Sequence, residues 1–165
     1  MIVEAQVEPI DGPAPAIIWR WDSETDILSG SFKPGGRVAG LTGTVELADD
    51  EGSVAVVDVS GGVVRGLDIV IWPPVITVPD LRPPTPAREG RVVLPSRPSQ
   101  PGVASVELDT MLSVSANADE SVIHLRIGSR RAAEPIRVAD HLLIELDQRR
   151  RLAGFWLDNV PPLTP

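Results

Sequence analysis

Apolar and polar residues alternate at a period of two along most of the chain. In Ser121-Val-Ile-His-Leu-Arg-Ile127, the apolar Ile123, Leu125 and Ile127 are separated by His124 and Arg126, the pattern of a strand with one buried and one wet face. Val57 and Val59 likewise share a face opposite Asp58, and Ile144 and Leu146 share one opposite Glu145. Helical periodicity is missing. Its best candidate, Val138 to Arg151, carries Leu142, Ile144 and Leu146 at a spacing of two, which leaves at most a turn of helix for Lys33–Gly43 or Ser129–Asp140. Val and Ile make up 33 of the 165 residues, and β-branched side chains suit a pleated surface better than a helix.

The strands recur in order. Ala16-Ile-Ile-Trp-Arg-Trp21, the turn Asp22–Thr25 and Asp26-Ile-Leu-Ser-Gly-Ser-Phe32 match Met111–Ala116, Asn117–Glu120 and Ser121–Ile127 without a gap. Further on, Ser53–Val59, the turn Ser60-Gly-Gly62 and Val63–Pro74 match His141–Leu146, Asp147–Arg150 and Arg151–Pro162, with one residue inserted in the second turn. Gly66 then falls on Gly154 and Pro73-Pro74 on Pro161-Pro162. This predicts two hairpin–loop–hairpin repeats, 16–74 and 111–162, joined by a crossover over 75–110. Nine of the 17 prolines lie between Pro73 and Pro101, so the crossover reads as a stiff connector packed along the domain edge, with Arg91–Leu94 as a short strand inside it. Its Pro83-Pro-Thr-Pro86 and Pro95-Ser-Arg-Pro98 fit the common PxxP spacing. The expectation is one all-β domain over 1–165, an antiparallel sandwich or flattened barrel of about eight to ten strands, because a unit of about fifty residues buries little core alone.

Composition narrows the chemistry. There is no Cys, which excludes disulfides, thiolate nucleophiles and Cys-ligated metal centres. The net charge of −8 lies in the front half: residues 1–78 hold twelve acids and four bases, whereas 79–165 hold eleven of each. An acidic front face repels phosphate backbones. Arg149-Arg-Arg151, the one basic run, reads as a charged hairpin tip. Met1–Pro15 has no Lys or Arg, and no apolar run approaches the roughly 20 residues of a membrane span. These features predict a cytoplasmic protein without nucleic-acid or membrane partners, and nothing calls for a cofactor.

Trp21-Asp22-Ser-Glu-Thr-Asp26-Ile-Leu28, followed by an apolar strand, a Gly-rich turn and Gly66-Leu-Asp-Ile-Val70, resembles a family of small bacterial β-rich domains of unknown function. That family opens with an aromatic-Asp-x-x-x-Asp-x-Leu hairpin and closes on Gly-hydrophobic-Glu-Ile-Leu. Asp68 replaces the Glu, and in the second copy Asn117, Ser121 and Trp156 stand at the acidic positions. The resemblance implies a compact β unit, here duplicated, and no activity. Members are often suspected of being the small partner in two-gene, toxin-neutralising or regulatory pairs.

Candidate functional residues are few. Asp22, Glu24 and Asp26 have the alternate spacing with which a calcium loop begins, but Ile27 and Lys33 stand where its Gly and final Glu belong, so a hairpin turn is the simpler reading. His124 with Asp119, or Asp140 with His141, has the composition of a general-base pair with nothing to complete it. Trp19 and Trp21 read as core. In strict alternation Trp72 shares a face with Asp68, and Trp156 with Asp158. A wet tryptophan beside acids is an anchor for a protein partner, which makes Trp72, Trp156, Asp68 and Asp158 the binding candidates. The function expected is a non-catalytic protein-interaction or self-assembling module, with a homodimer built on exposed sheet edges as one form. The alternative is a metal- or small-ligand-dependent enzyme, or a calcium-binding domain using the Asp22–Asp26 turn.

Overall fold

In the computed structural model, residues 4–33, 42–94 and 103–163 are described, with backbone alone at 103–106. Every element is a strand: β1 (Gln6–Glu8), β2 (Arg20–Asp22), β3 (Ile27–Ser31), β4 (Thr42–Ala48), β5 (Val54–Ser60), β6 (Val63–Ile71), β7 (Val75–Thr77), β8 (Arg88–Glu89), β9 (Arg91–Val93), β10 (Val103–Asp109), β11 (Leu112–Ala116), β12 (Ile123–Ile127), β13 (Ala133–Ala139), β14 (Leu142–Asp147) and β15 (Leu152–Leu157). No helix among the described residues is long and apolar enough to cross a membrane. The strands form two sheets. The first runs β1-β9-β6-β5-β4-β10, and β3, carrying β2, shares the β9 edge of β6; the second runs β7-β11-β12-β15-β14-β13-β8. Their inner faces share one apolar core, in which Leu28, Leu67 and Ile69 of the first sheet join Ile123, Leu125 and Phe155 of the second, all 0–1 % exposed.

The all-β expectation holds, with more strands than the alternation revealed. The segments between the hairpins contain β4 and β13, where Val45, Leu47, Ile136 and Val138 point into the core. Pro135 hides β13 in the sequence, because a residue without an N–H normally argues against a strand interior. Here it lies just before Ile136 and Arg137, the two residues that pair with β8. One proposed helical turn, Ser129–Asp140, is therefore mostly strand; most of the other, Lys33–Gly43, lies outside the described residues. Among the described residues three pairings are parallel: β10 with β4, β7 with β11 and β8 with β13.

The two sheets pair in step. β2-β3-β6-β5-β4-β10 in one corresponds in order to β11-β12-β15-β14-β13-β8 in the other. The register Leu28↔Ile69, Ser29↔Asp68, Gly30↔Leu67 is matched by Ile123↔Leu157, His124↔Trp156, Leu125↔Phe155. Each second hairpin also carries a bulge at the same place, stepping past Arg65 in one and Ala153 in the other.

The proline-rich connector crosses a face. β7 and β8 lie at opposite ends of the second sheet, so residues 78–87 pass over its outer surface, where Pro83 and Pro84 meet Leu143 and Trp156. Leu143, on that outer face, is only 4% exposed. The amino-terminal segment clasps the two sheets together. β1 pairs with β9 of the first sheet, Ala5 donates its N–H to Arg150 of the second (2.8 Å), and Asp140 donates to Pro15 O (2.9 Å). Ile17 donates back to Asp140 Oδ1 (2.9 Å), and Trp19 Nε1 donates to His141 O (3.2 Å). Gly30 makes this possible, since a Cβ there would lie 2.5 Å from Trp19 Cε3.

Candidate functional site

The acidic turns fold by a repeated local device. Asp22 Oδ1 accepts the N–H of Glu24, Asp49 Oδ1 those of Glu51 and Ser53, and Asp119 Oδ1 that of Ser121. These bonds hold the Asp22 and Asp119 carboxyls below the usual range: the Glu24 N–H acts first on Asp22, and the Ser121 hydroxyl first on Asp119. Asp22, Glu24 and Asp26 thus serve a tight turn, with Asp26 at φ 56°, and no group of three or more potential metal-ligating side chains converges among the described residues.

The four binding candidates fall in three places. Asp68 lies on the outer face of the first sheet, opposite Ser29 and Val56. Burial pushes its carboxyl pKa up, and the Asp58 charge adds to the rise. Trp72 is on the other side. A bulge at Val70, between the pairs Ala55↔Ile69 and Val54↔Ile71, inserts one residue and reverses the alternation. Ile71 therefore turns outward, 53% exposed, and Trp72 turns inward to meet Trp21 edge-to-face, with ring centroids 6.1 Å apart. Its Nε1 donates to Asp26 O at 2.8 Å.

Trp156 and Asp158 share a third location, beneath the connector. With Pro83, Pro84, Arg137 and Leu143 they line a cavity of about 30 Å³. Trp156 stacks on His124 (4.1 Å, 17°), and its Nε1 is buried without a partner. His124 pairs with Glu145, 2.6 Å away, whereas Asp119 is bonded to Ser121. Gly154 leaves room for this pair, since a Cβ there would lie 2.8 Å from Glu145 Oε1. The second histidine is held by Asp158 at 3.0 Å from Nδ1 and lies 3.8 Å from Asp140. The histidines are thus fixed by Glu145 and Asp158, and the imagined His124–Asp119 pair does not form.

Among the described residues, four of the six exposed large apolar side chains lie in the segment that holds Trp72. Ile71, Val75, Ile76 and Val78 are 39–61 % exposed within one eight-residue segment. Beside them, where β2 of the first sheet parts from β7 and β11 of the second, a cleft of about 260 Å³ is lined by Trp21, Trp72, Val75, Ile123 and Leu163, with Asp26 and Glu120 as its charged residues. Sequence alternation missed this site because the bulge at Val70 is silent in the residue pattern. The run Ile71-Trp-Pro-Pro-Val-Ile-Thr-Val78, apolar at odd and even positions alike yet interrupted by two prolines, was the available signal. No protein-family model matches the chain, and no curated protein matches it in sequence.

Proposed function

We propose that this protein is a non-catalytic protein-interaction module whose contact surface is the Trp21–Trp72 cleft and the apolar segment beside it. The observation that carries this reading is the exposure of Ile71, Val75, Ile76 and Val78 in the segment of a tryptophan that is itself anchored at the cleft. Monomeric proteins seldom leave four large apolar side chains of one short segment to water, and such concentrations mark interaction sites. Trp72 has a fixed orientation, so little conformational freedom is lost when it is covered. The test is a photo-crosslinking amino acid placed at Ile76, with a second at Gln148 on the far β14–β15 turn as control, in cells that express the protein naturally. One stoichiometric protein adduct from position 76 and none from 148 supports the module. Adducts absent from both, or alike at both, would remove the reading.

A further inference from the structure

Resting on that reading, we infer that the partner enters as an extended, cationic and apolar segment that adds a strand to the free edge of β7. β7 ends its sheet, pairing only with β11 among the described residues. Val78 N–H donates to Ala116 O at 2.8 Å, so by alternation the N–H and C=O groups of Val75 and Thr77 point away from the sheet. All three residues of β7 are exposed. An unpaired ladder edge flanked by apolar side chains is a template for strand addition: main-chain bonds give affinity, and an adjacent pocket receives alternate side chains. The cleft lies beside that edge, with the Trp21–Trp72 pair as one wall and Ile123 among its lining. It is suited to a large apolar residue.

Charge selects among occupants. The turns bordering the cleft, Asp22–Asp26 and Asn117–Glu120, hold five carboxylates and no Lys or Arg, and 71–80 adds Asp80 without a base. Asp26 and Glu120 line the cleft itself. A second copy docking through this face would set one acidic rim against another, which disfavours self-assembly here. A strand with Lys or Arg between its apolar residues meets the rim with complementary charge.

The experiment uses the whole chain and four synthetic probes: Lys-Val-Lys-Leu-Lys-Val-Lys, its Glu-for-Lys analogue, and the Lys peptide N-methylated at alternate amides in each of the two registers. Binding is followed by tryptophan fluorescence and by backbone amide shifts. The Lys peptide is expected to shift the Val75, Thr77 and Trp72 signals. The Glu analogue and one N-methylated register should bind at least about tenfold more weakly, since each removes several contacts, while the other register binds as the parent. Raising salt from about 50 mM to about 500 mM should weaken the parent. Equal binding of all probes, shifts confined to another sheet edge, or no binding would overturn strand addition. The crosslink at position 76 separates the two failures: an adduct mapping to a helical or acidic partner segment ends this inference and leaves the interaction module standing, whereas the absence of any adduct ends both.

Discussion

Replacing Asp147 by Asn tests how one buried carboxylate holds the β14–β15 turn. Its side chain is 4% exposed. Oδ1 accepts the N–H groups of Arg149 (2.8 Å) and Arg151 (2.9 Å), and Oδ2 accepts Nε of Arg131 (2.8 Å) and of Arg151 (2.9 Å). Burial alone pushes the pKa up, but the four hydrogen bonds together outweigh it and hold the carboxyl at about 2 against an ordinary 3.8. At about 1.4 kcal/mol per pKa unit, the folded state gains roughly 2–3 kcal/mol from the ionised form. Because the folded pKa is the lower one, that gain is present above pH ~4 and fades as the pH falls from about 4 towards 2. Asp147→Asn keeps an acceptor for the two backbone N–H groups but turns an amide NH₂ toward two guanidinium donors. The expected loss is about 2–4 kcal/mol at pH 7, or roughly 5–15 °C in Tm for a chain of this size. Urea unfolding of both proteins from pH 2 to pH 7 measures it, and the gap should narrow by about 2 kcal/mol between pH 5 and pH 2. A gap below about 0.5 kcal/mol, or one that does not change with pH, would refute the reasoning.

The remaining predictions concern other parts of the sandwich. Asp68 has the opposite linkage: its folded pKa is raised, so its ionisation disfavours folding progressively as pH climbs from the ordinary carboxylate range through that raised value. Asp68→Asn should therefore melt higher than the parent at pH 7 and equal to it near pH 3, by calorimetry at both. Gly30→Ala forces a Cβ to 2.5 Å from the Trp19 ring and should cost about 1–3 kcal/mol with altered near-ultraviolet dichroism; stability within about 0.5 kcal/mol of the parent would contradict the packing. Phe155→Ala, at a fully buried position, should cost about 3–5 kcal/mol in chemical denaturation. Trp72→Phe removes the bond to Asp26 O and should lose about 1 kcal/mol while leaving the far-ultraviolet spectrum unchanged.

The sequence made the inner face of each sheet legible, because Ile123, Leu125, Ile127, Val57 and Val59 are where alternation and burial coincide. The turns were legible too, through Asp22 and Asp147 at their first positions. What escaped was long-range. Nothing local to Arg88-Glu89 or Val75–Thr77 tells that each closes one edge of the second sheet, since partners in a parallel edge pair are not joined by a turn. The cleft escaped for a different reason: one extra residue at Val70 moved Trp72 from the face of Asp68 to that of Trp21, and period-two reasoning fails beyond any bulge. Trp156 kept its predicted outward face, yet the connector that covers it comes from the opposite edge of the sheet.

The amino-terminal clasp bears on how the chain is made. During vectorial synthesis, the partners of Ala5, Pro15, Ile17 and Trp19, namely Arg150, Asp140 and His141, leave the ribosome more than a hundred residues after them. At typical elongation rates of about 5–20 residues per second, these apolar residues wait for several seconds without their native cover. Closing contacts so distant in sequence is also slow in itself. The nascent chain is thus vulnerable to aggregation until residues 140–150 have emerged, and a chaperone that shields the Ile17–Trp19 segment over that interval would raise the yield of folded protein.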